Sequence, residues 1–90
     1  MEELKPGQLV QSKAGRDKGS YYLVIKAAEP GRVLLADGRR RTLNRLKKKN
    51  IAHLQRIERR VEIEELIQAG KLTDSDVIKF LKELVPREDV

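Results

Sequence analysis

The sequence predicts a mainly β fold: a small SH3-like barrel of four or five short strands over residues 1–56, followed by a two-helix appendage over residues 57–90. Three observations predict it. Runs rich in β-branched and aromatic residues recur at short intervals in the first part, with Gly- and Pro-containing turns between them. After about residue 56 the apolar residues change to a helical spacing among Glu and Arg. Ninety residues also leave room for one domain, or a small barrel with an appendage, and none for a deep catalytic cleft.

The elements follow in order. Pro6-Gly7 punctuates the start, and Gln8–Lys13 (QLVQSK) sets Leu9-Val10 between polar residues as a short strand. Ala14–Gly19 (AGRDKG) reads as a turn, its two glycines free to take positive φ or to bring bare backbone close to a partner. Tyr21–Ala27 (YYLVIKA) is the strongest strand in the chain. Glu29-Pro30-Gly31 ends it, and Arg32–Ala36 (RVLLA) is a third strand. Asp37-Gly38 suits a two-residue hairpin turn, so Arg39–Leu43 is expected as the returning arm and Asn44–Asn50 as a basic loop. Ile51–Leu54 is expected to close the barrel.

Beyond residue 56, Ile57, Val61, Ile63, Leu66 and Ile67 predict a first helix capped by Gly70. A strand over Arg60–Glu64 is the alternative, disfavoured because the pattern continues into Leu66-Ile67. Thr73-Asp74-Ser75-Asp76 then supplies an N-cap with acids in the first turn. Val77, Ile78, Leu81 and Leu84 share one face of the second helix, which Pro86 stops.

Charge divides the chain the same way. Residues 1–56 hold 14 Lys/Arg against 5 Asp/Glu, while residues 57–90 hold 6 against 9. The densest part is Arg39–Asn50 (RRRTLNRLKKKN), in which Arg39, Arg40, Arg41, Arg45, Lys47, Lys48 and Lys49 are basic and none is acidic. Such density repels itself in a compact fold unless phosphates or other anions sit opposite, so a polyanion partner is expected on the first part. The acidic tail then faces solvent or a protein, its two helices packing on the barrel or docking a partner.

Several classes are disfavoured. The absence of cysteine removes disulfides and thiolate metal sites. No apolar stretch approaches a membrane span and the N-terminus shows no apolar leader, so a cytoplasmic protein without membrane contact is expected. His53 has no second His or Cys near it in a ligand pattern, and AGRDKGS lacks the Walker spacing. With no triad or paired-acid arrangement either, neither an enzyme nor a bound cofactor or metal is expected.

Certain residues also carry a resemblance. Gly7-x-Leu9-Val10, Gly15-Arg16-Asp17-Lys18-Gly19, Leu23-Val24-Ile25 and Val33-Leu34 resemble the KOW motif of ribosomal proteins and transcription elongation factors. Together with Asp37-Gly38, the arginine-rich segment and Lys49–Leu54, the pattern over roughly residues 5–55 is similar to the L14e-type ribosomal proteins and the small bacterial KOW proteins like them. Tyr22 stands where many KOW motifs carry another glycine, which favours that branch over the elongation factors. The resemblance implies an SH3-like barrel that binds ribosomal RNA, with AGRDKG and the basic run laid on phosphates.

The residues expected at RNA are therefore Arg16, Lys18, Arg39, Arg40, Arg41, Arg45, Lys47, Lys48 and Lys49 on phosphates, through guanidinium and ammonium groups. Tyr21 and Tyr22 point to opposite faces of one strand, so one of them is available for stacking, and Tyr22 is the expected one. With two Tyr and one Phe in the chain, little sequence reading is expected. The alternative is a protein-interaction module of the translation or transcription machinery. A duplex-DNA reader is disfavoured because no helix carries the basic residues.

Overall fold

The computed structural model describes residues 4–86, so the ends of both expected parts lie outside the described residues. Five strands form a single antiparallel sheet in the order β4-β3-β2-β1-β5. They are β1 (Gln8–Ser12), β2 (Tyr21–Ala27), β3 (Arg32–Ala36), β4 (Lys47–Asn50) and β5 (Leu54–Arg60). Two helices follow, α1 (Glu64–Gln68) and α2 (Asp74–Leu84).

No ladder joins β4 to β5, so the sheet is not closed. It is nonetheless strongly curled. Asn50 ends β4 and Leu54 begins β5, with one 3-10 turn (Ile51–His53) between them. Four residues span at most about 14 Å, whereas the edges of a flat five-stranded sheet lie about 19 Å apart. The short link therefore forces the two edges towards each other.

Curling gives the sheet two buried faces. Val10, Tyr22, Val24, Val33, Leu35 and Leu54 fill the first. Leu23, Ile25 and Ala36 on the second are covered by Ile63 and by Val77 of α2. Burial on both sides explains the nearly continuous apolar run of β2, since alternation is needed only where one face meets water. The composition boundary at residue 56 falls inside β5, and the second core draws on residues from both sides of it.

The early strands and α2 lie where the sequence places them, and the segment between Asp37 and Ile63 does not. Asp37-Gly38 is no two-residue hairpin. The carboxylate Oδ1 of Asp37 accepts from the N–H groups of Arg39 (2.9 Å) and Arg41 (2.8 Å), capturing amides that a returning strand would give to the ladder. Arg39–Leu43 is therefore part of a loop over residues 37–46. The return is instead Lys47–Asn50, expected as loop, which pairs Lys47 with Leu35 and Asn50 with Arg32. Three lysines are weak strand formers, but β4 pairs along its whole length with β3, whose residues beyond Arg32 are all apolar.

The helix expected from Ile57 is also replaced, because β5 continues to Arg60 and only Glu64–Gln68 is helical. Ile57, Val61 and Ile63 all fall on odd positions, which is strand alternation, and pairing with β1 decides in its favour. A bulge lies in that pairing between Gln8 and Val10. The buried Gln8 amide fills it, donating from Nε2 to the carbonyls of Ile57 and Arg59. Ile51–Leu54, expected as a closing strand, is the 3-10 turn plus the first residue of β5.

The N-terminus of α2 anchors the basic loop. Thr73 and Asp76 form a capping box, each side chain accepting the other's backbone N–H at 3.1 Å. Asp74 then uses its free carboxylate to accept the N–H of Leu43 at 2.8 Å. Gly38, at φ +81°, lies so close to α2 that a Cβ would come within 2.7 Å of both Asp74 O and Ile78 Cγ1. Gly31 has a similar φ of +80° but open space around it.

Gly38→Ala is expected to destabilise the protein by about 2 kcal/mol or more, through strain and collision together, and Gly31→Ala by only about 1 kcal/mol, through strain alone. Urea unfolding of both variants checks this; equal losses would mean that the loop is not seated on α2.

Candidate nucleic-acid interface

The strands β1 and β3 end at the same end of the meander, so the turn over residues 13–20 and the loop over residues 37–46 leave it side by side. Between them these two segments hold six of the nine expected phosphate contacts.

The first turn is built around Asp17. Backbone bonds from Lys18 N–H to Gly15 O, Gly19 N–H to Ser12 O and Ser20 N–H to Asp17 O fix its path. The Asp17 carboxylate points inward and gathers donors from three strands. Oδ1 accepts from Ser12 Oγ at 2.9 Å and Lys49 Nζ at 2.7 Å; Oδ2 accepts from Tyr22 OH at 2.9 Å, with Lys47 Nζ at 3.4 Å. Lys49 spends a second proton on Ala14 O at 2.9 Å. Because Asp17 turns inward, its neighbours Arg16 and Lys18 are both exposed.

Electrostatics agree with this geometry. Burial pushes the Asp17 carboxyl up, but the bonds from Lys49, Ser12 and Tyr22 and the nearby Lys47 charge together outweigh it and hold the group well below the usual carboxylate range. Burial, joined by the bond to Asp17, pushes the Tyr22 phenol up to about 12. The phenol thus remains a donor.

Of the expected site residues, Arg16, Lys18, Arg39, Arg40 and Arg45 are exposed and Arg41 is half-buried. None of these six has a carboxylate of the described residues within ion-pair distance. The three lysines of β4 differ. Lys49 and Lys47 are tied to Asp17, and the Lys49 side chain is only 9% exposed. Lys48 pairs with Glu29 at 3.3 Å, an exposed contact shared with Arg32 at 3.4 Å. Lys49 is thus part of the internal support and not an outer contact.

Tyr22 is a second correction, being 5% exposed and bonded to Asp17, with no face left for a base. It lies on the face of Val10 and Val24. The outward candidate is Tyr21, which is half-buried. The register shift between Val24 and Lys26 separates the exposed Lys26 from the buried face of Tyr22 and Val24.

Two further features have no counterpart in the expectations. Arg32 and His53 join the β4 lysines and Asn50 around a shallow depression of about 330 Å³. Glu29 sits opposite β4 as an internal counter-anion. Neither is complete in the sequence: His53 follows Lys47–Asn50 directly in the chain, but Arg32 and Glu29 reach the lysines only through the β3–β4 pairing. Among the described residues no group of three His, Cys, Asp or Glu side chains is placed to hold a metal ion, and no helix is long and apolar enough to cross a membrane.

No protein-family model matches the chain, and no curated protein matches it either.

Asp17→Asn should cost about 2–3 kcal/mol at neutral pH, because it leaves Lys49 buried without its counter-charge. The folded-state pKa of Asp17 is depressed, so its contribution is complete above the unfolded value of about 4 and is lost as pH falls from there towards the folded value. Urea unfolding is expected to show a full gap between wild type and variant at neutral pH and a narrowing gap below about pH 4. A constant gap down to strongly acid pH would count against the ion pair.

Proposed function

We propose that this chain is an RNA-binding protein, ribosome-associated in the manner of the KOW-type proteins that its sequence resembles, and that it holds structured RNA by the phosphate backbone. In this reading the curled sheet is the SH3-like scaffold of that group. The observation that carries the proposal is the set of six cations with no counter-ion among the described residues, Arg16, Lys18, Arg39, Arg40, Arg41 and Arg45, on two adjacent loops. Where the fold has its own use for a lysine it supplies a carboxylate, as at Asp17 and Glu29; where it does not, positive charge is left to an external anion. Four of the six are arginines, whose planar fork matches phosphate oxygens in pairs.

A second reading, a protein-interaction module of the translation or transcription machinery, draws on a depression of about 430 Å³ where Ile78, Leu81, Val85 and Pro86 meet Asp37 and Arg39. Arg16→Glu combined with Lys18→Glu separates the two. The first reading expects loss of RNA binding; the second expects partner proteins to remain attached.

Six phosphate contacts predict a slope of log K against log salt of about −4 to −5 with ribosomal RNA fragments. Arg39→Ala with Arg40→Ala and Arg45→Ala should flatten it by about 2 to 3, while Lys48→Ala, already paired with Glu29, should change it by less than 1, roughly. Filter binding or fluorescence anisotropy over a salt series measures both. A wild-type slope shallower than about −1.5 would reject the phosphate-binding reading.

A further inference from the structure

Tyr21 opens β2 directly after the turn that carries Arg16 and Lys18. On its other side the ladder ends with Leu23 paired to Ala36, so Tyr21 lies beside the point where the arginine loop leaves β3. An aromatic ring therefore stands between the two basic segments. Its hydroxyl has no hydrogen-bond partner among the described residues, and no buried side-chain nitrogen or oxygen among them is left unpaired, so this hydroxyl reaches solvent.

The ladders extend the same row across the sheet. Gln11 is the cross-strand partner of Tyr21 and also of Gln55, and directly opposed residues project from one face. Gln11 donates from Nε2 to Gly19 O at 3.1 Å, which leaves its amide oxygen as an acceptor. Gln55 is exposed, its Nε2 held only by a 3.4 Å contact to Arg56 O. Ring, amide and amide thus lie on adjacent strands, about 5 Å apart.

This combination is chemically specific. A ring accepts the face of a base, amides bond the base edge, and cations on either side hold the phosphates before and after it. A continuous duplex keeps its bases stacked away from such a ring, so only an unpaired nucleotide uses it. We infer that Tyr21, with Gln11 and Gln55 beside it, is the seat of a single unpaired nucleobase, and that the preferred ligand is an RNA stem interrupted by one bulged nucleotide. The inference rests on the phosphate-binding reading above and narrows its ligand.

The test compares two RNA hairpins with identical stems, one carrying a single bulged 2-aminopurine, by fluorescence anisotropy and by the emission of that base. Wild type is expected to bind the bulged stem about 10-fold tighter and to quench its emission by stacking. Tyr21→Phe should keep both effects, and Tyr21→Ala should lose both while holding the uninterrupted stem within about 2-fold of wild type. Equal wild-type affinity for the two stems with unquenched emission would overturn the base seat and leave phosphate binding standing. Binding to neither stem would overturn both. The wild-type arms need no variant to fold.

Discussion

One carboxylate governs the arrangement of this molecule. Asp17 accepts hydrogen bonds from Ser12 on β1, Tyr22 on β2 and Lys49 on β4. These strands are not all neighbours, since β3 lies between β2 and β4. The bond to Lys49 thus reaches across the curl of the sheet and adds a side-chain tie where no ladder exists. An ionised acid in this setting is worth keeping only if fully satisfied, because a buried charge with a partner removed costs several kcal/mol. Every donor in the group serves that requirement, and the local conformation of the turn follows from it.

The cations divide accordingly. Lys47 and Lys49 are drawn inward by Asp17, and Lys48 is shared with Glu29. The inward turn of Asp17 leaves Arg16 and Lys18 outside. The other arginines are held out by a separate support, the Asp37 carboxylate within the loop and the seat of Gly38 on α2. The proposed binding end thus consists of two basic segments, one resting on a polar cluster and the other on a helix. Their positions are set by different interactions, so a substitution in one support should leave the other segment's placement largely intact.

The parts legible in the sequence were those decided locally. The strands β1, β2 and β3 were marked by β-branched and aromatic runs between turn residues, and α2 by Thr73 and the apolar face containing Val77 and Leu81. The parts that were not legible depend on distant partners. KKKN becomes a strand because RVLLA is next to it, and residues 54–60 stay extended because β1 pairs with them. Asp37-Gly38 was misleading for a chemical reason, as the same side chain that favours a tight turn also captures two amides and opens a longer loop. At the candidate interface the arginines were legible as charge. The internal use of Lys49 and Tyr22 was not: Lys49 is 32 residues from Asp17, and Tyr22, though only five away, meets it only once the turn folds the carboxylate inward.

The two margins of the sheet have a consequence of their own. β4 reads Lys-Lys-Lys-Asn, and β5 carries Arg56, Glu58, Arg59 and Arg60 within seven residues. Among the described residues neither margin has a strand paired on its outer side, which in a flat apolar strand would invite the margin of another copy to add on. Here such stacking would strip water from the exposed Lys48 of β4 and from the exposed Arg56, Glu58, Arg59 and Arg60 of β5. The charged side chains left outside on the two edge strands therefore discourage fibre growth, and a concentrated solution of this small β protein should resist polymerising through its open rims.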